Sequence, residues 1–424
     1  MTILFNPTEE RGTGGNKMFM QFPGMRHAVQ QRDARSFIKI FVNSITIGLQ
    51  EPTKILEAFI GALPAPAFLG QTIEFQTNER FVLGGPNDKT ASIGVGDIDN
   101  DGDIDAVVAN GRHWPEQNRV FYNNGFGIFT VSRPLDDISE TSYATELADF
   151  DGDGDLDVAV GNDMAPSAIY INDGKGIFQR VSSFGKAYTP TRNLTVADID
   201  KDGDIDIIVT NRGAENEICL NHGHGLFPET RYFGGKNEST IDAEVADMNG
   251  DGHLDLVLTN RDGQQNYIYL NNGSLGFEKR IPFGTGKDET RAVALVDLDK
   301  DGFLDIITAN IGEPNWVYFG DREMKYARAL VFDPSNDESY SVAIDDLDMD
   351  GDIDIVIANA GAPNTVFVNG GNGKMWTKIV LSAEKLNTYD IITADLNGDK
   401  RPDIIESNSD ALNFYYLNLP ITKK

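Results

Sequence analysis

The sequence predicts an all-β fold, a seven-bladed β-propeller of four-stranded blades whose ring is closed by an N-terminal strand. Three observations carry this. A nine-residue aspartate-rich string recurs seven times, opening at Asp97, Asp149, Asp198, Asp247, Asp297, Asp346 and Asp395, at intervals of 49 to 52 residues. Each interval holds four short segments with strand character and no helical period. The last interval stops after its third strand, at NFYYLNLP (413–420), while an unowned strand precedes the first string, in TIEFQTNERFVLGG (72–85). Four strands per unit at this period is the pattern of a propeller, and the N-terminal strand supplies the piece the last blade lacks.

Within a unit the elements follow one order. An alternating segment comes first, such as SIGVGDI (92–98) or NLTVADI (193–199), and runs into the aspartate string. A continuous apolar run follows, such as DAVVAN (105–110), DIIVTN (206–211) or DIVIAN (354–359). Strands apolar on both faces belong between two neighbouring sheets. A polar loop leads to a third strand (RVFYNN, 119–124; NYIYLNN, 266–272), and a glycine turn leads to a fourth (IFTVSRPL, 128–135). The propeller is assigned to residues 68–424. Residues 1–67 form a leader, read either as a secretory signal ending in ILEAFIGALPAPA (55–67) or as a helical extension starting near Pro52.

The aspartate string has the chemistry of an oxygen cage. Its positions 1, 5 and 9 are aspartate in all seven copies; position 3 is aspartate in five and asparagine in two; position 6 is glycine in six. Side chains at 1, 3 and 5 converge if the chain curls, glycine at 6 permits the turn, position 7 offers a backbone carbonyl, and the aspartate at 9 closes the cage. The candidate ligands are Asp97, Asp99, Asp101, Asp103 and Asp105 in the first loop and Asp149, Asp151, Asp153, Asp155 and Asp157 in the second. The third offers Asp198, Asp200, Asp202, Asp204 and Asp206, and the fourth Asp247, Asn249, Asp251, His253 and Asp255. The fifth offers Asp297, Asp299, Asp301, Phe303 and Asp305, and the sixth Asp346, Asp348, Asp350, Asp352 and Asp354. The seventh offers Asp395, Asn397, Asp399 and Asp403; Lys400 replaces its glycine, so it is expected to bind most weakly. An all-oxygen set selects a hard cation, and irregular, carboxylate-rich geometry favours Ca²⁺ over Mg²⁺. The expected cofactor is Ca²⁺, up to seven ions. A helix-loop-helix calcium site is excluded, because position 12 is apolar or small in six of the seven loops, with glutamate only at Glu406, and strands flank every loop.

These units resemble FG-GAP/VCBS repeats, the calcium-loop blades also found in the integrin α-subunit propeller. The motif D-x-[DN]-x-D-G-x-x-D, an apolar run and Ala-Asn stands here as Asp97–Asn110, and the Phe-Gly piece survives as Phe184-Gly185, Phe233-Gly234 and Phe283-Gly284. The resemblance implies the propeller and calcium. For function it implies a range, from adhesion modules and lectin-like proteins to some polysaccharide lyases.

Composition narrows the partners. The chain has 424 residues and a formal net charge of −30, which argues against nucleic acid and anionic membrane surfaces. No segment has the roughly 18 apolar residues of a membrane helix. The single cysteine, Cys219, lies in an apolar run and reads as core. Calcium dependence without disulfides suits an extracellular, periplasmic or secretory compartment, and a monomer is expected.

An asparagine 13 residues after each first aspartate and a Ser or Thr seven before it recur in every unit, and are read as structural. Functional residues are expected among positions that vary. Strand alternation puts the acid loops on one face and the loops after each asparagine on the other. On that second face Tyr143, Arg192, Arg291, Tyr340 and Tyr389 lie near the channel mouth, with His113 and Trp114 in an adjacent loop. They suit sugar stacking or carboxylate binding. The expected function is a non-catalytic module that binds protein or carbohydrate there. The alternative is a lyase on acidic glycans, with Tyr143, Tyr340, Tyr389 or His113 as base and Arg192 or Arg291 stabilising the enolate. Glu406 interrupts an apolar strand, as a packing defect or a buried carboxylate near a site.

Overall fold

The computed structural model describes residues 73–420. The leader assigned to residues 1–67 lies outside them. Among the described residues all regular structure is strand. Two short strands, β1 (Glu74–Gln76) and β2 (Val82–Leu83), precede the first blade. That blade comprises β3 (Thr90–Gly96), β4 (Asp105–Asn110), β5 (Glu116–Tyr122) and β6 (Val131–Glu140). Blade two comprises β7 (Ser142–Ala148), β8 (Asp157–Asn162), β9 (Ser167–Asn172) and β10 (Phe178–Phe184). Blade three comprises β11 (Thr191–Ala197), β12 (Asp206–Asn211), β13 (Asn216–Leu220) and β14 (Glu229–Phe233). Blade four comprises β15 (Thr240–Ala246), β16 (Asp255–Asn260), β17 (Gln264–Leu270) and β18 (Lys279–Asp288). Blade five comprises β19 (Thr290–Val296), β20 (Asp305–Asn310), β21 (Asn315–Phe319) and β22 (Arg328–Asp333). Blade six comprises β23 (Glu338–Asp345), β24 (Asp354–Ala360), β25 (Thr365–Asn369) and β26 (Trp376–Val380). Blade seven comprises β27 (Thr388–Ala394), β28 (Asp403–Asn408) and β29 (Asn413–Leu419), and its fourth strand is β1.

The expected closure is present. Strand β1 pairs antiparallel with β29, Phe75 opposite Asn418, and β2 pairs with the start of β29, Val82 opposite Phe414. The first strands of successive blades adjoin one another around the ring, and β27 adjoins β3.

The core is seven clusters, one at each blade interface. Between blades one and two lie Val107, Val120, Val158 and Tyr170; between blades seven and one lie Ile93, Val108, Ile405 and Tyr415. Both faces of each second strand therefore meet apolar neighbours, and all six residues of β4, β8, β12, β16, β20 and β28 are buried. This is the reason those runs carry no alternation. Cys219 is fully buried in the cluster between blades two and three.

Hydrogen-bonded side chains tie blade to blade. Asn118 at the start of the third strand accepts from the Asn110 backbone N–H (2.8 Å) and donates through Nδ2 to Ser142 Oγ of the next blade (2.9 Å). Ser142 in turn donates to Asn162 Oδ1 (2.9 Å). The same cross-blade link joins Asn216 to Thr240, Asn266 to Thr290, Asn315 to Ser339 and Asn364 to Thr388. The recurring Ser/Thr and strand-end asparagine are thus structural, as expected, while the third-strand asparagine that completes the girdle went unread.

Every first strand carries a β-bulge at the residue after its recurring Ser or Thr. In β3 the register steps from Thr90 opposite Asn110 to Ser92 opposite Ala109, which leaves Ala91 unpaired. The same step occurs in all seven blades and leaves Tyr143, Arg192, Ile241, Arg291, Tyr340 and Tyr389 on bulges. A bulge re-aims the side chain it carries.

Candidate metal centres and the opposite face

The acid loops share one fold. In the first, both Asp97 oxygens accept backbone N–H bonds, from Asp101 (3.1 Å) and Gly102 (3.0 Å), and Asp101 Oδ1 accepts from Asp103 (3.0 Å). These bonds curl the chain around a common centre. The glycine at position 6 has positive φ, from 88° at Gly252 to 100° at Gly203. Lys400 holds φ 68° at the same place, a conformation that costs an L-residue roughly 1–2 kcal/mol.

In five loops, three carboxylates bring one oxygen each within 4.8 Å of one another. They are Asp97, Asp99 and Asp101; Asp149, Asp151 and Asp157; Asp198, Asp200 and Asp206; Asp297, Asp299 and Asp305; and Asp346, Asp348 and Asp354. Such crowding raises Asp99, Asp151 and Asp200, first through burial and then through their acidic neighbours, and pushes Asp348 to about 6. Asp99 Oδ1, Asp198 Oδ1 and Asp299 Oδ1 are buried with no hydrogen-bond partner among the described residues. Carboxylate oxygens converged, shielded and without donors fit a hard cation. The fourth and seventh loops, with Asn249 and Asn397 at position 3, form no such carboxylate trio among the described residues.

Position 9 has a second task. Asp157 accepts backbone bonds from Phe150 (2.9 Å) in its own loop and Asn172 (2.8 Å) at the end of the third strand. Asp206, Asp255, Asp305, Asp354 and Asp403 repeat this pair. Burial pushes Asp105, Asp157, Asp206, Asp354 and Asp403 to about 7, against the pull of those bonds. Position 9 therefore anchors the loop to its blade whether or not it also faces a metal.

Residues at position 7 spread outward. Asp155 accepts from Asn100 Nδ2 (2.8 Å) of the previous loop, and Asp352 accepts from Lys300 Nζ (2.6 Å) of its own predecessor. Asp103, Asp204, His253 and Phe303 join none of the carboxylate trios. The fifth loop is partly neutralised from within. Arg328 reaches Asp299 (3.3 Å) and Asp301 (3.0 Å), and Lys374 lies 3.6 Å from Asp299.

The opposite face carries the bulge residues, and they meet at the channel mouth in two groups. In one, the Arg112 guanidinium lies 3.4 Å from the centre of the Tyr389 ring, Tyr389 meets Tyr340 edge-on at 4.8 Å, and Arg291 lies 5.6 Å from the Tyr340 ring. In the other, Arg192 lies 4.7 Å from the Tyr143 ring and pairs with Asp163 (2.9 Å), while the Tyr143 hydroxyl contacts His113 Nδ1 (2.9 Å). Trp114 follows His113 in the chain and is exposed. Arg112, the residue before His113, is central to the first group. Burial and the nearby Arg112 and Arg192 hold His113 below its ordinary value. Burial raises Tyr143 despite the same arginines.

Beneath the mouth the channel is acidic. Asp242 accepts from Asn193 of the preceding blade, from its own neighbour Ala243 N–H (2.9 Å) and from Val293 N–H (2.9 Å) of the following blade. Asp390 is held alike, by Ser341 Oγ (2.9 Å) before it and Ile93 N–H (3.2 Å) after it. Glu146 and Glu244 share the channel; burial raises both, with further push from Asp390 on Glu146 and Asp242 on Glu244. Asp242 and Asp390 share the position five residues before a loop's first aspartate, and Glu146 and Glu244 the position three before, but the other blades carry no acid at either, so the repeat alone does not flag them. Glu406, far from being a defect, is satisfied: Oε1 accepts from Asn364 Nδ2 (2.7 Å) and Oε2 from Asn408 Nδ2 (3.4 Å).

Comparison with known proteins agrees with this architecture. The profile of the FG-GAP-like repeat matches residues 97–160, 149–209, 198–258, 247–308 and 346–406, more than half of the chain. The chain belongs to the FG-GAP-like repeat family. Each matched FG-GAP segment opens on an acid loop, and none opens at Asp297, the loop that Arg328 and Lys374 approach. No curated protein matches the chain. Among solved structures it is similar to BBS1N in complex with ARL6DN, at 12% identity and TM-score 0.58, covering 83% of this chain and 98% of that one. A second structure of that complex gives 13% and 0.55, covering 82% and 98%. The WD40 domain of Toxoplasma gondii coronin gives 11% and 0.56, covering 84% and 88%. At such identities the likeness concerns the fold alone.

Proposed function

We propose that this FG-GAP propeller is a calcium-stabilised, non-catalytic binding module that holds a protein or carbohydrate ligand on the face opposite its acid loops. The observation that carries the reading is the segregation of the two faces. One bears recurring carboxylate clusters with partnerless buried oxygens; the other gathers non-recurring Tyr, Arg and His side chains at the channel mouth. Ca²⁺ suits the first face by ligand type and irregular cage. BBS1N, a propeller of similar fold, is in complex with ARL6DN, which supports a protein ligand. A calcium-rich compartment, extracellular, periplasmic or secretory, follows from the metal. The lyase alternative is weakened by Tyr143, whose hydroxyl is raised by burial where a proton-abstracting phenolate needs the reverse. A glycan array and a pull-down, each run with Ca²⁺ and with EDTA, test the module; absence of any ligand in every condition, or an unsaturated product from uronic-acid polymers, would sink it.

A further inference from the structure

The arginines of the mouth are unusual in their setting. The chain has 36 Lys and Arg against 66 Asp and Glu. Yet Arg112 and Arg291 meet at the mouth stacked on Tyr389 and Tyr340, and neither forms an ion pair among the described residues. The nearest acid below, Asp242, has its oxygens engaged by Asn193, Ala243 and Val293. Asp242 attracts Arg291 from below, whereas Arg112 has no acidic partner within ion-pair distance among the described residues, so an anion from outside is favoured beside Arg112. The guanidinium fork suits a carboxylate, and stacking fixes the fork's plane.

An apolar rim adjoins this charge. Trp114, Met164 and Tyr188 are 66%, 58% and 68% exposed. Contacts connect them: Trp114 follows His113, which meets Tyr143; Arg192 covers Tyr143 and pairs with Asp163, the neighbour of Met164. Met164 N–H donates to the carbonyl of Thr189, which follows Tyr188 (2.8 Å). On the acid face, exposed Ile128, Ile177 and Leu226 recur at one turn position and belong to the repeat. Trp114, Met164 and Tyr188 do not recur.

Met164 is also costly. The second residue after the strand-end asparagine has positive φ at Gly213, Asp262, Gly312, Gly361 and Asp410, residue types that tolerate it. Met164 adopts φ 56° with its side chain in solvent. A large apolar residue in strained backbone, exposed, is a combination found at binding surfaces.

We infer that Arg112 and Arg291 receive a carboxylate from an acidic protein segment whose apolar side chains lie on Trp114, Met164 and Tyr188. This rests on the reading of this face as the recognition surface and names its partner class. A protein is favoured over a sugar because the tyrosine faces are already covered by guanidinium groups, whereas Trp, Tyr, Met and Arg together are the composition of protein interfaces.

The test uses the full chain and an array of synthetic peptides with Asp or Glu beside Leu, Phe or Met, against copies with Asn or Gln in place of the acids. Acidic peptides should bind, the amide copies at least tenfold more weakly. Arg112→Gln should lose at least tenfold. Met164→Gly should lose a similar factor while its melting temperature stays level or rises, a split that a purely structural role would not produce. Binding of oligouronates alone, equal binding of the amide copies, or no binding overturns the inference. Melting with and without Ca²⁺ on the same samples reports separately whether the calcium-module reading stands.

Discussion

Asn413 of the last blade donates through Nδ2 to Thr90 Oγ1 of the first at 3.0 Å, joining residues 323 apart in sequence. It is the same girdle bond that links other neighbouring blades, here closing the ring. Asn413 also accepts from the Asn408 backbone N–H (2.6 Å) and is fully buried. Asn413→Leu strands that N–H, at about 1–3 kcal/mol for a buried unsatisfied group, while Thr90 keeps its bond to Asn110 Oδ1 (2.8 Å). Urea unfolding should show the loss, and an unchanged midpoint would show that the girdle contributes nothing at the seam.

Removing calcium should lower stability. A site kept at about 100 times its dissociation constant adds ~2.7 kcal/mol, and several sites add in proportion. EDTA is expected to lower the melting temperature by many degrees, with Mg²⁺ restoring little of it. A melt indifferent to EDTA would remove the metal reading.

The loops should differ in affinity. Arg328 and Lys374 already place positive charge on Asp299 and Asp301. Arg328→Gln frees those oxygens and should strengthen calcium binding at the fifth loop several-fold by titration calorimetry. Weaker or unchanged binding would mean that Arg328 shapes the loop rather than competing for it.

The channel acids set a pH dependence. Burial and Asp242 push Glu244 to about 8, and burial with Asp390, Glu244 and Asp242 lifts Glu146 well above its ordinary value. The folded chain thus favours their neutral forms. Their stabilising effect is complete below the unfolded carboxylate range near 4.5 and is lost as pH rises toward 8. With calcium saturating, stability should fall across that interval. Glu244→Gln should flatten the fall, each unit of elevation relieved being worth ~1.4 kcal/mol. A variant with the wild-type slope would place the pH response elsewhere.

Glu406 offers a sharper contrast. It is 2% exposed and bonded to Asn364, itself part of the girdle. Glu406→Gln keeps an acceptor and should unfold close to wild type, whereas Glu406→Leu strands the Asn364 amide and should cost about 1–3 kcal/mol. Equal effects would mean that charge, not hydrogen bonding, is what the site holds.

The ring and its acid loops were legible because they repeat. One period exposes Asp97, Asp149 and their successors, and the missing fourth strand points to closure from the front. What repeats less was harder to read. Asn216, Asn315, Asn364 and Asn413 all stand 18 residues after the first aspartate, with Asn266 and Asn118 displaced by longer loops; the spacing is visible in the sequence, but the partner in the next blade is not. The bulge at Tyr143 or Arg192 is a backbone event that alternation cannot register, although the variability of those positions did single them out. Asp242 and Asp390 share one strand position and Glu146 and Glu244 another, but only two blades carry an acid at each, and it is the ring that brings the four together. Arg328 and Lys374 act on a loop distant from both in sequence, so their charge had no visible destination. The sequence places tyrosines and arginines at equivalent positions of different blades, but not their contacts; in the folded chain Tyr143, Tyr340 and Tyr389 each lie beside an arginine.

Placing β1 in the last blade has a consequence for the order of events on the ribosome. The strand emerges near the start of the propeller, but its partner β29 is among the last residues of it to be made. Through almost the whole of translation Phe75 and its neighbours have no native edge to join, and the growing row of blades has two unsealed ends. Such edges invite pairing with another chain. The propeller's last-made strand is therefore the one that ends this exposure, and a polysome carrying many half-made copies is where the propeller is most vulnerable to its own kind.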